Sequence, residues 1–515
     1  MKKILSVCLT LTLLLTLFTG CGAAVSSAEE AASQSGSTAA ELPETPQDDS
    51  VMIVLSDEQI TVDGEPVSSD ESAAVYTAND IVFYPTGQDF TFGEGETADA
   101  HEPSEADAHT VIHITRPGTY RLSGKLSAGQ VAVDLGEEAQ EDPAATVTLI
   151  LDGVDITCTV APGVIFYNVY ECGSSDAETA SKDVDTSKAG ANVIIADGSV
   201  NTVNGAYVAR IYKPGTVELS EDGTEVADAK KLHKYDAAFY SKMSMNISGG
   251  EKGDGVLNIH AKNEGLDSEL HLTVNGGKIN IVSGNDGINT NEDGVSVTTI
   301  NGGSLNILCD GSTGEGDGID SNGWLVINGG TVISAACATS GDAGIDSDMG
   351  IHLNGGTVVA SGNMMDRIGE SDSTYAVFSF SQRQTGGSEY ILKNESGEEV
   401  TRWTPANDFT YLVVSGEKVV PGTFSLWQGE TRLSVASGAG GMMGGRGPMP
   451  ENFDPENMTP PEGFDPETMT PPEGFDPAQM QGRPGGFGGG KGFFTAGEAS
   501  DSFSIAEDAN QFTVL

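Results

Sequence analysis

Asn-Gly-Gly recurs four times in the middle of the chain, beginning at Asn275, Asn301, Asn328 and Asn354, at intervals of 26, 27 and 26 residues. A second motif precedes each copy: Glu264-Gly-Leu-Asp267-Ser, Asp286-Gly-Ile-Asn289-Thr, Asp317-Gly-Ile-Asp320-Ser and Ala343-Gly-Ile-Asp346-Ser. A fixed period in this range marks a repeat architecture, in which each unit buries its apolar face only against its neighbours. Between the motifs the apolar residues alternate: Leu272 and Val274 before the first Asn-Gly-Gly, Ile279 and Ile281 after it, then Leu325, Ile327 and Val332, and Ile351, Leu353 and Val358. A period of two means short half-buried strands, and no helical pattern competes here. The chain reads as all-β, a parallel β-helix of about 26 residues per coil.

Charge narrows the partners. The 515 residues carry a net charge of −51, with no Lys or Arg between Lys3 and Arg116. Nucleic acid is excluded as a partner, because binding it takes clustered cations. Such an excess of carboxylates suits a well-solvated extracellular protein or one that collects cations.

The first residues set the compartment. Lys2 and Lys3 precede an apolar run from Ile4 to Phe18, and Leu17-Phe-Thr-Gly-Cys21 follows the pattern of a bacterial lipobox. Residues 1–21 are therefore expected to be a lipoprotein signal peptide, with Cys21 lipidated and holding the protein on the outer side of a membrane. Residues 22–50 have almost no large apolar group and read as a disordered tether.

The remaining boundaries follow composition. Residues 51–110 form an acidic β-rich region, and 111–363 are assigned to the β-helix. From 364 to 436, short strands such as Tyr375–Phe380 and Thr423–Trp427 read as a small antiparallel cap at the solenoid end. Residues 437–497 are rich in Gly, Met and Pro and contain an eleven-residue unit, Glu462-Gly-Phe-Asp-Pro-Glu-Thr-Met-Thr-Pro-Pro, that cannot bury a core. Residues 498–515 return as a terminal strand or two.

After Cys8 and Cys21 are set aside, Cys158, Cys172, Cys309 and Cys337 remain. Cys309 lies eight residues after Asn301 and Cys337 nine after Asn328, nearly equivalent places on adjacent coils. Coils about 4.8 Å apart lie within disulfide reach, so Cys309–Cys337 with Cys158–Cys172 is one expectation. Buried free thiols are the other.

The acids of the second motif carry the chemistry. Glu264 and Asp267, Asp286 and Asn289, and Asp317 and Asp320 each place two oxygen side chains around a glycine, and Asp346 continues the series. Glycine lets a loop bend with φ > 0 and aim oxygens together. Ca²⁺ takes six to eight such oxygens, and it removes the repulsion between stacked carboxylates. The competing reading is ordinary Asp/Asn-Gly turn chemistry. In the fourth loop Ala343 replaces the acid, which leaves Asp342 and Asp348 to supply oxygen. The four Asn-Gly-Gly asparagines are expected to be a structural ladder of amides.

The sequence resembles a bacterial secreted carbohydrate-binding β-helix family found alongside cellulose- and pectin-degrading systems. The resemblance runs from about Val111 to Leu433. It rests on Gly-Thr-Tyr-Arg-Leu-Ser-Gly at 118–124, Leu-Ile-Leu-Asp-Gly-Val-Asp-Ile at 149–156, Phe-Tyr-Ser-Lys at 239–242, the Asp-Gly-Ile loops, and Gly422-Thr-Phe-Ser-Leu-Trp. It implies a right-handed, pectate-lyase-like parallel β-helix that binds Ca²⁺ and plant polysaccharide (pectin, polygalacturonate or cellulose) as a monomer. No catalytic residue is assigned. A calcium-dependent lyase would need a Lys or Arg base beside the acids, for which Lys262 is the candidate, and a purely structural surface protein is the third reading. Tyr207, Tyr212, Tyr235 and Trp324 are candidates to stack on sugar rings.

Overall fold

The computed structural model describes residues 49–438, 499–507 and 510–515. The expected lipidation at Cys21, most of the tether and nearly all of the 437–497 insert lie outside the described residues. Within the described residues the chain is all-β. The exceptions are one short helix, Pro103–Ala106, and a 3₁₀ turn, Glu137–Glu141.

The repeat becomes three ladders. In the first, strands Val147–Thr157, Ala191–Ile195, Met245–Gly249, His271–Val274, Val297–Ile300, Trp324–Ile327 and Gly350–Leu353 pair in parallel, each with the next. The second runs through Val200–Gly205, Val256–Ala261, Lys278–Ser283, Ser304–Cys309, Thr331–Ala335 and Thr357–Gly362, again in parallel. The third contains Gly129–Asp134, Val164–Asn168, Ala237–Ser241, Glu264–Ser268 and Ile288–Thr290, and continues to Ile319. Antiparallel pairs join at both ends, so the sheets as wholes are mixed.

Alternation explains what lies inside. Because strand neighbours point to opposite faces, in-register pairing stacks like on like: Ile247, Val274, Ile300, Ile327 and Leu353 form one column of fully buried aliphatics. Ile279, Leu305, Val332 and Val358 form another. The core they share is continuous along the stack. The stack also starts earlier than residue 111, since Val51–Leu55 pairs in parallel with Gly118–Leu126.

Each Asn-Gly-Gly turns a corner. The second glycine of each, Gly277, Gly303, Gly330 and Gly356, has φ between 77° and 92°. A Cβ on Gly303 would also lie 2.6 Å from the Gly277 carbonyl oxygen. The asparagines form the expected ladder: Asn301 donates to Asn275, Asn328 to Asn301 and Asn354 to Asn328, each at 2.9 Å.

The last parallel strand, Thr357–Gly362, is covered by antiparallel Phe409–Ser415, which also pairs with Tyr375–Gln384. A second sheet of Tyr390–Asn394, Glu399–Trp403 and Gly422–Gln428 packs over an aromatic core that includes Phe378, Phe409, Phe424 and Phe512. Phe503–Ile505 and Gln511–Val514 pair into this region.

The disulfide expectation is corrected: Cys158, Cys172, Cys309 and Cys337 are all free. Leu308 pairs with Ala335, which sets Cys309 opposite Ala336 and leaves Cys337 one residue out of register. A shift of one residue along a strand reverses the face a side chain occupies. The Cys309 thiol instead donates to the Asp317 carbonyl at 2.9 Å.

Candidate metal centre

The acids of the second motif lie on the third ladder, where coils approach backbone to backbone. Gly265, Gly287 and Gly318 donate to the carbonyls of Asp286, Asp317 and Ala343 at 2.9–3.0 Å. A Cβ on any of these glycines would lie 2.3–2.5 Å from a carbonyl oxygen of the next coil. These glycines are not among those with positive φ. Close approach of coils, rather than the expected left-handed bend, is what requires them.

Two acid columns flank this glycine spine. Glu264, Asp286 and Asp317 precede it, with Ala343 in the fourth coil. Asp267, Asn289 and Asp320 follow it in register, with Asp346 next, where the Asp346 amide donates to the Ile319 carbonyl. Asp267 is fully buried and Glu264 is 5% exposed; Asp286 and Asn289 are buried, and Asp317, Asp320 and Asp346 are partly buried.

The two columns differ in how they are satisfied. Asp286 accepts from the Asp317 amide at 2.7 Å and Asp317 from the Ala343 amide at 2.5 Å, so each also ties one coil to the next. Asp342 does the same for Gly316 at 2.6 Å. Asn289 donates to Glu264 Oε1 at 3.2 Å, and Asn291 holds both oxygens of Asp267 at 2.9 and 3.0 Å. Glu264 Oε2, Asn289 Oδ1 and Asp346 Oδ1 are buried with no hydrogen-bond partner.

Two further acids belong to the site that the repeat did not reveal. Asp236, buried beside the strand Ala237–Ser241, has a carboxylate oxygen within 4.8 Å of ligand oxygens from Glu264 and Asp267. Asp366 is buried past the last repeat, and its Oδ2 is also unpartnered. The sequence signal for Asp236 was faint: aligning Phe239-Tyr-Ser241 with Leu266-Asp-Ser268 sets Ala237 opposite Glu264. Asp366 had none, because it follows the final Asn-Gly-Gly.

Crowding raises these acids' affinity for protons. Burial, then Asp267, Asp236 and Asp286, pushes Glu264 well above the usual carboxylate range. Burial, Asp236 and Glu269 do the same to Asp267, and burial with Asp346 and Asp286 does so to Asp317. Asp286, Asp320 and Asp346 are each pushed up to about 7, chiefly by burial. Two such charges about 5 Å apart repel by about 3 kcal/mol at an effective dielectric constant near 20.

Lys234 is the cation set into the column. Its Nζ lies 2.6 Å from Asp236 Oδ2. Burial works against its charge, but Asp236, Glu264 and Asp267 outweigh that and hold its pKa above the ordinary value. Lys262 instead reaches the Thr159 carbonyl, at 3.4 Å. The donors that converge here are carboxylate and amide oxygens with no thiolate or imidazole, a set that fits a hard divalent cation.

Residues 108–389 match the model of the family described as carbohydrate-binding domain-containing protein. That span is more than half of the chain. The chain belongs to this family. A carbohydrate-binding domain-containing protein of Acetivibrio thermocellus is 28% identical over 171 residues, 33% of this chain and 44% of that protein. The chain thus matches less than half the length of this curated relative. A solved structure, a polysaccharide lyase-like protein from C. thermocellum as its gadolinium derivative, aligns with 59% of this chain and 90% of its own at 19% identity and a TM-score of 0.33.

The span that places this chain in the carbohydrate-binding family contains every acid of the column, from Asp236 to Asp366. It also contains the aromatics considered for sugar stacking, and two of these are engaged elsewhere. Tyr235 is buried against Tyr167 and Tyr240, and Tyr207 donates its hydroxyl to Asp99.

Proposed function

We propose that this protein binds polysaccharide as an exported, non-catalytic lipoprotein, anchored through Cys21, and that its acid columns hold Ca²⁺. In this reading the three parallel ladders are the walls of a right-handed parallel β-helix. The glycan is of the acidic plant type, such as polygalacturonate. The observation that carries the reading is the set of buried, unpartnered oxygens on Glu264, Asn289, Asp346 and Asp366. An unpartnered buried carboxylate oxygen costs about 1–3 kcal/mol or more, and a run of them in successive coils is relieved together by bound cations.

Glu264, Asp267 and Asp236 would hold one cation at the buried end, while Asp320, Asp346 and Asp366 serve the more open end. Bound calcium supplies positive charge and free coordination positions for a uronate carboxylate. Binding without cleavage is supported by Lys234. An ammonium held charged by Asp236 cannot take up a proton, so it is unsuited to act as the base of a lyase. A single copy suffices, since the antiparallel cap covers the final parallel strand and leaves no such edge to pair with a second chain.

The test is retention of the protein on immobilised polygalacturonate, with calcium and with chelator, while unsaturated product is followed in the same samples. Retention with calcium, loss with chelator and no product are expected. Retention indifferent to chelator removes the bridging cation, and steady product formation makes the protein a lyase.

A further inference from the structure

The outward face of the second ladder has a different character from the acid columns. Its strands Val200–Gly205, Val256–Ala261, Lys278–Ser283, Ser304–Cys309 and Thr331–Ala335 contain no Asp or Glu, in a chain that has 76 of them. The titratable side chains these strands present to solvent are His260 and Lys278. One outward row is an amide ladder: Asn280 donates to Asn258 at 2.9 Å and Asn306 to Asn280 at 3.0 Å. Ile333, 43% exposed, continues that row, and partly exposed Val282 and Leu308 lie in the next one.

We infer that this face is a second glycan-binding surface, independent of calcium, for a neutral polysaccharide in extended form. An asparagine amide has two N–H donors and two lone pairs, and the ladder uses one donor and one acceptor at Asn280, leaving the others for sugar hydroxyls. The ladder fixes these amides in advance, so binding does not have to order them. Three amides at the ~4.8 Å strand spacing span about 10 Å, the scale of a disaccharide, along a flat sheet. Ile333, Val282 and Leu308 offer aliphatic contact to the C–H faces of the rings. The charge pattern selects the occupant. A uronate chain would find a single lysine here and no acids to hold a bridging cation, whereas a neutral glycan meets no buried or opposing charge.

The inference rests on membership of the carbohydrate-binding family and not on the calcium reading, and the experiment keeps them apart. The full chain is depleted from solution by microcrystalline cellulose, a neutral β-glucan, in chelator, and by polygalacturonate in calcium. Cellulose should retain the parent in chelator. Ile333→Glu and Asn306→Asp, both at exposed positions, should each weaken that retention at least tenfold while melting like the parent and keeping calcium-dependent polygalacturonate binding. Lys278→Glu, on the same face but outside the ladder, gives the same loss and decides the matter should either variant melt early. Parent protein that ignores cellulose in chelator, or variants that bind it as the parent does, overturn the proposal. Loss of polygalacturonate binding alone would overturn only the calcium reading.

Discussion

Replacing Asp320 by Asn should have opposite effects on stability with and without calcium. Burial, then Asp286 and Asp348, pushes Asp320 up to about 7 from 3.8. The folded protein therefore binds this proton more tightly than the unfolded chain. Below pH 4 both states hold the proton and there is no penalty. As pH rises through 7 the folded state must give it up, and stability falls. A shift of about three units corresponds to about 4 kcal/mol at pH 8, using 1.36 kcal/mol per unit. Because neighbouring acids relax together, half of that is a reasonable floor. Chemical denaturation of chelated protein should thus show stability dropping between pH 4 and 7. At pH 8, Asp320→Asn should stabilise the chelated protein by about 2–4 kcal/mol, and its profile should be flatter. With saturating calcium the order reverses, because the variant loses a charged ligand while the parent gains RT ln(1 + [L]/Kd), about 2.7 kcal/mol at a hundredfold excess. Equal destabilisation by Asp320→Asn in chelator and in calcium would refute the argument and return these loops to turn chemistry.

Three further outcomes are expected. Gly287→Ala would place a Cβ 2.1 Å from Ile307 Cγ2 and 2.5 Å from the Gly318 carbonyl oxygen, so it should cost about 3 kcal/mol of unfolding free energy; Gly341→Ala, with nothing within 4 Å, should cost almost none. The mass of the unreduced protein after thiol alkylation in denaturant should show Cys158, Cys172, Cys309 and Cys337 all labelled, and in native buffer Cys158, its thiol raised by burial to about 12, should stay unlabelled; a cross-linked pair would contradict the register of the second ladder. Cys21→Ser should release the protein to the medium, as measured by membrane fractionation, and unchanged retention would end the lipoprotein proposal.

What the sequence determined alone is everything that repeats. The Asn-Gly-Gly period fixed the corners, the alternation fixed which side chains stack inward, and the paired acids fell in register because one period governs both motifs. Register is a local property, since each coil is aligned by its own turn chemistry and by the aliphatic column beneath it. Whatever does not repeat was decided only by the tertiary structure. Asp236 and Asp366 reach the acid columns from segments at either end of the regular repeats, so no spacing announced them. Cys309 and Cys337 differ by one residue in their distance from the corner, and a one-residue offset changes faces in a strand. The glycines of the acid loops were legible as necessary, but for the wrong reason: they keep backbones apart by nothing more than a hydrogen atom, a constraint that exists only once a second coil lies against the first. Lys234 likewise meets Asp236 in space because the hairpin of Val208–Tyr212 and Lys231–Tyr235 leads into the third ladder, where the column begins. A periodic sequence specifies contacts between equivalent positions, whereas contacts between inequivalent ones depend on where the excursions from the period come to rest.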